Sequence, residues 1–278
     1  MDNNISPRFS WDDIEFHKTF QPQDTYITKI LDLAAQGYSG TKEEISEVTG
    51  IPTGKTSGKV IPHIRYAAFM GLINYEKEGG KYSLSLSRLG EVVYREDKYL
   101  YEKITKLICH FNICDKEKGA LIWSFLYNQL PNKLDDDIGN AFISSKAYEF
   151  FGRPVEFSVV KKAYTEGFWQ NTRLLNWEEN LHMNSQFYSN DCKYVYAYTL
   201  LSAWEYYLPD EREVSVTQLT DILKWDRRLG LDDTETLNVL DEIASEGIIT
   251  INKQLHPCTI IRIEEADNIL NKLYNTLI

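Results

Sequence analysis

No stretch of this 278-residue sequence stays apolar for the roughly eighteen residues that a membrane-spanning helix needs. The first residues, MDNNISPRFSWDD, also lack the charged and then apolar order of a secretory signal peptide. Cysteine is scarce, and the four cysteines, Cys109, Cys114, Cys192 and Cys258, are too scattered for a disulfide scaffold. We therefore expect a cytoplasmic protein that makes no membrane contact and whose cysteines are buried thiols.

The chain also lacks an excess of basic residues. Its 30 lysines and arginines face 41 aspartates and glutamates, which gives a net charge of -11 at pH 7. This charge excludes a protein that coats nucleic acid through general positive charge, so any contact with phosphates must come from a local patch. Apolar residues at 43% and charged residues at 26% are typical of a soluble globular chain, and the length allows two or three modules around a shared core.

The N-terminal part of the chain carries the pattern of a winged helix-turn-helix unit. Its predicted elements are helices over 24–36, 42–50 and 60–73 and strands over 72–75 and 82–86. Apolar residues at helical spacing indicate the helices, and Gly50 marks the end of the second one. Between the two strands, Gly79-Gly80 supplies the positive φ angles of a hairpin turn.

The remaining chain divides into a helical block and a second unit of similar order. Residues 97–209 contain mostly helical patterns, and 16 of the 36 aromatic residues lie between Tyr148 and Tyr207, which indicates either a bulky core or an apolar groove. Residues 210–278 again predict helices followed by a hairpin. The predicted fold is mainly α, with winged helix-turn-helix domains at 1–96 and 210–278 around a central, aromatic-rich helical domain.

Basic residues are concentrated between Pro52 and Leu89. This segment has six basic and two acidic side chains, a local net charge of +4, whereas the rest of the chain totals -15. The loop before the third helix would present backbone N–H groups and lysines to a phosphate, and His63 and Arg65 on that helix would face base edges or phosphates. The candidate nucleic-acid-binding residues are Lys55, Thr56, Ser57, Lys59, His63, Arg65, Lys77 and Lys81.

The C-terminal unit has the opposite charge. Residues 210–278 have a net charge of -7, and the helix predicted over 232–246 has six acidic residues and no lysine or arginine. Because phosphates would be repelled, we expect this unit to pack on the body of the protein or to bind a partner protein.

Motifs for catalysis and metal binding are weak. Cys109, His110 and Cys114 are close in sequence but lack the second ligand pair of a zinc site. The one Glu-x-Lys triplet, at 96–98, lacks the strand context of a magnesium-dependent nuclease core. We therefore predict no enzyme activity, no cofactor and no metal site.

Two short motifs resemble a known family. The segment Phe16-His17-Lys18-Thr19-Phe20, followed by Tyr26-Ile27-Thr28-Lys29, resembles the opening of the domain-of-unknown-function 4007 family, in which a His-Glu-Thr-Phe signature precedes a Trp-Leu-x-Lys helix. His17, Thr19 and Phe20 match that signature. The stretch Ile64-Arg65-Tyr66, leading into Gly71-Leu72-Ile73, is similar to the family's Ile-Arg-Tyr helix and the Gly-Leu that follows it.

Members of that family are uncharacterised bacterial proteins, often encoded beside DNA phosphorothioation genes that act in defence against phage. The resemblance therefore implies a protein that recognises modified or invading DNA, or one that tethers another component of such a system. His17, Thr19 and Phe20 would be a functional cluster, although packing and helix capping explain an aromatic and a hydroxyl there equally well.

We expect a non-catalytic protein that binds duplex DNA through the N-terminal winged helix, in phage defence or gene regulation. Two alternatives remain open. In the first, the lysines are an ordinary solvated face and the protein is an adaptor that uses its winged helices as scaffold and docks a partner protein of a defence complex. In the second, the aromatic middle block binds a small molecule and regulates the protein.

Overall fold

The computed structural model describes residues 9–54, 58–131, 134–185, 190–254 and 257–277. Their buried apolar side chains form one continuous core that runs through the N-terminal, central and C-terminal parts of the chain. None of the helices within these ranges has both the length and the apolar character that crossing a bilayer requires.

The N-terminal part is a winged-helix-like unit, as predicted. Its elements are α1 (Trp11–Ile14), α2 (Asp24–Ala35), β1 (Ser39–Thr41), α3 (Lys42–Thr49), α4 (Val60–Phe69), β2 (Ile73–Glu78), β3 (Lys81–Leu86) and α5 (Arg88–Glu96). β3 lies between β1 and β2 in an antiparallel sheet, and Gly79-Gly80 forms the turn between β2 and β3. α4 is shorter than predicted, because Gly71 turns the chain at a φ of 76° and Ile73 already belongs to β2.

The central part is not simply helical, which corrects the prediction for residues 97–209. Its elements are α6 (Lys103–Ile113), α7 (Leu121–Asn128), β4 (Asp137–Gly139), α8 (Asn140–Phe151), α9 (Ser158–Thr165), β5 (Leu175–Trp177), β6 (Asn180–Met183) and α10 (Lys193–Tyr207). β6 pairs with both β4 and β5 in a second antiparallel sheet. Strands of three or four residues are too short for an alternating pattern to reveal them.

The C-terminal part is a further winged-helix-like unit, in agreement with the predicted order of elements. Its elements are β7 (Glu213–Ser215), α11 (Val216–Gln218), a π-helical turn (Leu219–Leu223), α12 (Trp225–Arg228), α13 (Asp233–Ser245), β8 (Ile249–Asn252), β9 (Thr259–Arg262) and α14 (Ala266–Leu270). β9 lies between β7 and β8. Short 3₁₀ helices lie at Gln170–Thr172, Asn190–Cys192 and Asn275–Leu277.

The same architecture occurs three times within the described residues, where the sequence indicated two occurrences. In the N-terminal unit (β1 to β3), the central unit (β4 to β6) and the C-terminal unit (β7 to β9), a short strand precedes helical segments and a hairpin. In each sheet the last strand lies between the other two. The first helical segment also ends in each unit at a residue of left-handed conformation, namely Gly50, Gly152 or Lys224.

The aromatic residues of the middle block supply a large part of the core. Trp123, Trp169 and Trp204 are fully enclosed, and Trp169 stacks on Tyr164 with ring centroids 5.0 Å apart. Large aromatic side chains bury much apolar surface, which stabilises the fold through the hydrophobic effect and close packing. For these residues, the bulky-core interpretation of the sequence is confirmed.

A buried ion pair joins the central helices to the C-terminal unit. Arg228, which is 1% exposed, donates a hydrogen bond of 3.0 Å to the Asp115 carboxylate. Its guanidinium also donates to the carbonyl oxygens of Phe111 and Leu223. Asp115 accepts a further bond of 2.6 Å from the Tyr207 hydroxyl. Burial acts to raise the pKa of Asp115, but the Arg228 charge and the donated hydrogen bonds lower that pKa overall.

Three buried histidines are neutral rings. In His17 and His63, Nδ1 lies 2.7 Å from a backbone carbonyl oxygen, so this nitrogen carries the proton and donates. In His110, Nε2 donates to the Arg228 carbonyl oxygen at 2.7 Å, and Nδ1 accepts from the Tyr164 hydroxyl at 2.5 Å. Burial lowers the pKa of His17 and His63 to about 4 and that of His110 to about 3.

We expect Asp115→Asn to lower the free energy of unfolding by about 3–5 kcal/mol, because it leaves the Arg228 guanidinium buried without a counter-charge. Urea unfolding followed by circular dichroism measures the change. The control is Asp267→Asn, which breaks the exposed pair with Arg88 and should leave the urea midpoint unchanged. Equal losses in the two variants would contradict a special role for the buried pair.

The buried histidines predict a stability that falls in acid. Between pH 6.5 and about 4, His63 binds a proton in the unfolded chain but not in the folded protein, so the free energy of unfolding decreases as pH falls. One such group contributes about 1.4 kcal/mol per pH unit in this window. His63→Asn keeps a donor for the carbonyl oxygen but does not titrate. Urea unfolding at several pH values should therefore show a shallower slope for this variant, and an unchanged slope would contradict the neutral assignment.

Candidate nucleic-acid interface

α4, the helix predicted to enter a DNA groove, is covered in the structure. Every residue of α4 is described, and none of them is exposed. Val60, Pro62, His63, Ile64, Tyr66 and Ala67 are buried, and the other four residues are half-buried. A helix can read base edges only with side chains that reach into the groove. In this structure α4 has no exposed side chain that could reach into a groove.

The segment before α2 provides the cover. Arg65 donates to the Asp12 carbonyl oxygen at 2.8 Å and to the Asp13 carboxylate at 3.0 Å. Its guanidinium also lies 5.3 Å from the centre of the Phe16 ring. One residue further along α4, the Tyr66 hydroxyl donates to the Phe20 carbonyl oxygen at 2.9 Å. In this structure an aspartate far away in sequence pairs with Arg65, and the predicted contact of Arg65 with DNA stays a prediction.

His63 is also misplaced by the sequence prediction. Its side chain is 0% exposed and packs edge-on against the Tyr26 ring, with centroids 5.0 Å apart. The helical pattern did not exclude an exposed histidine at this position. The packing of α2 against α4 buries it.

Lys59 stands at the start of α4, half-buried. Its ammonium group lies 5.5 Å from the centre of the Phe20 ring and 5.1 Å from that of Tyr26, distances typical of cation–π contacts. The loop candidates before it, Lys55, Thr56 and Ser57, lie outside the described residues. Their predicted contact with a phosphate stays a prediction.

The wing lysines are exposed but do not form one surface. Lys77 pairs with Tyr82 and Lys81 pairs with Glu78 across the β2–β3 hairpin. Successive residues of a strand point to opposite faces, so Lys77 and Lys81 lie on opposite faces of the wing. At the end of the same basic segment, Arg88 binds Asp267 of the C-terminal part at 2.7 Å. The cations that are contiguous in sequence are therefore dispersed in space.

The residues that match the family signature take up different environments. His17 is 3% exposed and lies edge-on to the Trp123 ring, with centroids 5.9 Å apart. Phe20 is half-buried, and its carbonyl oxygen accepts the Tyr66 hydroxyl. Thr19 is exposed. For His17 and Phe20, packing within the cover of α4 accounts for the side chains without a ligand.

In the C-terminal unit, the position of α4 is taken by α13. Its exposed residues include Asp233, Leu237, Asp241 and Glu242, and Leu237 is 48% exposed. Lys253 pairs with Asp241 at 2.9 Å. This acidic face agrees with the sequence prediction of a surface that does not attract phosphates.

The central winged unit was not predicted from the sequence. In this unit the helix equivalent to α4 is α9, which is accessible to solvent. α9 exposes Ser158 and Lys162 and half-exposes Lys161 and Thr165. A cleft of about 530 Å³ is lined by residues of this helix and of β5. In the sequence, this basic helix is indicated only by a short stretch, Ser158–Thr165, that has two lysines and no acidic residue. A stretch of this length does not predict an exposed binding helix.

Cys109, His110 and Cys114, which are close in sequence, are fully buried, with the Cys114 sulfur 3.6 Å from Nδ1 of His110. Burial raises the pKa of Cys109 to about 12. Across the described ranges, we find no group of three or more histidine, cysteine, aspartate or glutamate side chains that could hold a metal ion.

No family model matches this chain, and none of the curated proteins matches it in sequence. Its resemblance to the domain-of-unknown-function 4007 family therefore stays a prediction. Solved structures do match its fold. They include a crystal structure of SspB and a magnesium ion-bound crystal structure of SspB, with TM-scores of 0.74 and 0.73. In both cases the sequence identity is 14%, and the match covers 95% of this chain and 88% of the other. The chain thus shares the fold of SspB over nearly its whole length.

Proposed function

We propose that this protein is a component of a bacterial DNA phosphorothioation system and that it binds duplex DNA there. The observation that carries the proposal is the fold shared with SspB, a phosphorothioation-system protein, over 95% of the chain. The motifs at 16–20 and 64–66, which resemble a family encoded beside phosphorothioation genes, support it independently. Winged helices are also frequent DNA-binding modules.

Within this proposal the protein acts as a binding subunit without chemistry of its own. The magnesium ion in one of the matched structures belongs to that protein. In the described part of this chain no group of three histidine, cysteine, aspartate or glutamate side chains that could hold a metal ion is found, and the proposal includes no metal step.

Within this proposal the wing is the part of the predicted N-terminal surface that carries the contact. α4 is covered, and among the described residues of this unit Lys77 and Lys81 are exposed on the wing. Two lysines on opposite faces of one hairpin cannot both meet the same stretch of duplex.

We expect the full-length protein to retard duplex DNA in a mobility-shift experiment at low salt and to lose affinity as salt rises, because phosphate contacts release counterions. Lys77→Glu and Lys81→Glu, made separately, should differ, and only one should weaken binding. Plain and phosphorothioate duplexes are compared in parallel to find whether the modification matters.

The matched control is Lys253→Glu, which changes an exposed lysine on the hairpin of the acidic C-terminal unit and should bind like the wild type. Absence of any complex with the wild-type protein would contradict DNA binding. Equal losses for Lys77→Glu and Lys81→Glu would contradict the contact through one face of the wing.

A second candidate function is that of an adaptor, and one observation favours it. The N-terminal unit uses its second helix for packing, and the C-terminal unit presents an acidic surface with exposed Leu237. An acidic face with an exposed apolar side chain suits a basic protein partner. Co-purification from the native host distinguishes the two functions, because an adaptor would yield a stoichiometric protein partner while the isolated chain shows no affinity for DNA.

A further inference from the structure

The three units use their second helix in three different ways. In the N-terminal unit that helix, α4, has no exposed residue. In the C-terminal unit, α13 exposes carboxylates. In the central unit, α9 exposes Lys162 and Ser158 and has no acidic residue between Ser158 and Thr165. The second helix of a winged helix-turn-helix unit is the one that meets DNA, so α9 is the equivalent helix best suited to phosphates.

Two cationic side chains line the cleft beside α9. Lys161 belongs to the helix, and its ammonium group donates to the Glu178 carbonyl oxygen, which holds the side chain at the cleft. Arg173, which precedes β5, also lines the cleft. The amides of Gln170 and Asn176 line the same cleft and are exposed. Guanidinium, ammonium and amide groups are the donors that bind phosphate oxygens in protein–DNA complexes.

The backbone at Arg173 is strained and held in place. Its φ is 57°, a left-handed conformation that non-glycine residues rarely adopt. The Asn184 side chain donates to the Arg173 carbonyl oxygen at 2.6 Å, and the Asn184 backbone N–H donates to Leu174 at 3.0 Å. Strain of this kind persists where the surroundings enforce it and is concentrated at functional sites.

The floor of the cleft is rigid. Trp177, which is 4% exposed, donates through its indole N–H to the Asn140 side chain at 2.8 Å and packs on Phe157, with ring centroids 5.6 Å apart. Buried Tyr164 and Leu175 complete the floor. The cleft is therefore formed in advance, and binding would not require ordering of its walls.

We propose that the cleft lined by α9 and β5 holds the sugar-phosphate backbone of duplex DNA, with Lys161 and Arg173 as phosphate contacts in the cleft and Lys162 as a contact on the exposed face of α9. This inference rests on the proposed DNA-binding function and places the main contact in the central unit. Glu178, the carboxylate that lines the cleft, opposes the binding of phosphate and limits the affinity.

The test is fluorescence anisotropy of a labelled duplex with the full-length protein at several salt concentrations. Lys162→Glu should weaken binding about tenfold at low salt and reduce the slope of log affinity against log salt by about one. Arg173→Gly, which removes the cation at a left-handed φ that glycine adopts readily, should also weaken binding. Glu178→Gln should strengthen binding.

The matched control is Lys146→Glu on α8, the other helix of the same unit, where Lys146 pairs with Glu149 at 2.8 Å. It should change the affinity less than about twofold, as expected for a charge away from the contact. Wild-type binding by Lys162→Glu and Arg173→Gly would overturn the inference and leave the proposed function standing. Equal losses in Lys146→Glu and Lys162→Glu would overturn it as well, since the effect would then be general charge. Failure of the wild-type protein to bind any duplex would contradict the proposed function itself.

Discussion

One enclosed guanidinium holds the C-terminal unit on the rest of the molecule. Arg228 belongs to α12, yet its hydrogen bonds go to α6, to Asp115 just after that helix and to the π-helical turn. The backbone carbonyl oxygen of Arg228 accepts a hydrogen bond from Nε2 of His110. A buried charge is tolerated only where its partners are fixed, so these elements must assemble together. α12 is thereby fixed against α6, while α13 packs against α10 and β8.

The three winged units show how one architecture takes up different roles through its surroundings. The N-terminal unit buries its second helix under residues 11–20, so this helix contributes to the core. The C-terminal unit leaves its helix exposed but acidic, and the central unit leaves α9 exposed beside a cleft lined with cations. The backbone order is common to all three units, whereas the potential that each presents to a nucleic acid depends on side chains and on neighbouring segments.

The contrast between Arg65 and Lys162 shows why counting charges in the sequence does not identify an exposed basic helix. The basic segment 52–89 has the highest local positive charge, but Arg65 binds the backbone of Asp12, 53 residues away, and Arg88 binds Asp267, 179 residues away. The central unit has no such excess in sequence. Only the folded chain brings Arg173 to the same cleft as Lys161.

Local signals in the sequence determined most of the two outer units. The Thr41–Glu44 capping box, the left-handed Gly50 and the Gly79-Gly80 turn act over a few residues and can be read directly from the sequence.

Tertiary structure decided the rest. The central sheet requires β4 to pair with β6 some forty residues later, and its strands are too short to predict. Burial of His63 and neutralisation of Arg65 likewise depend on segments distant in the chain. Charge and periodicity are properties of neighbouring residues, whereas exposure is a property of the whole fold, and binding surfaces depend on exposure.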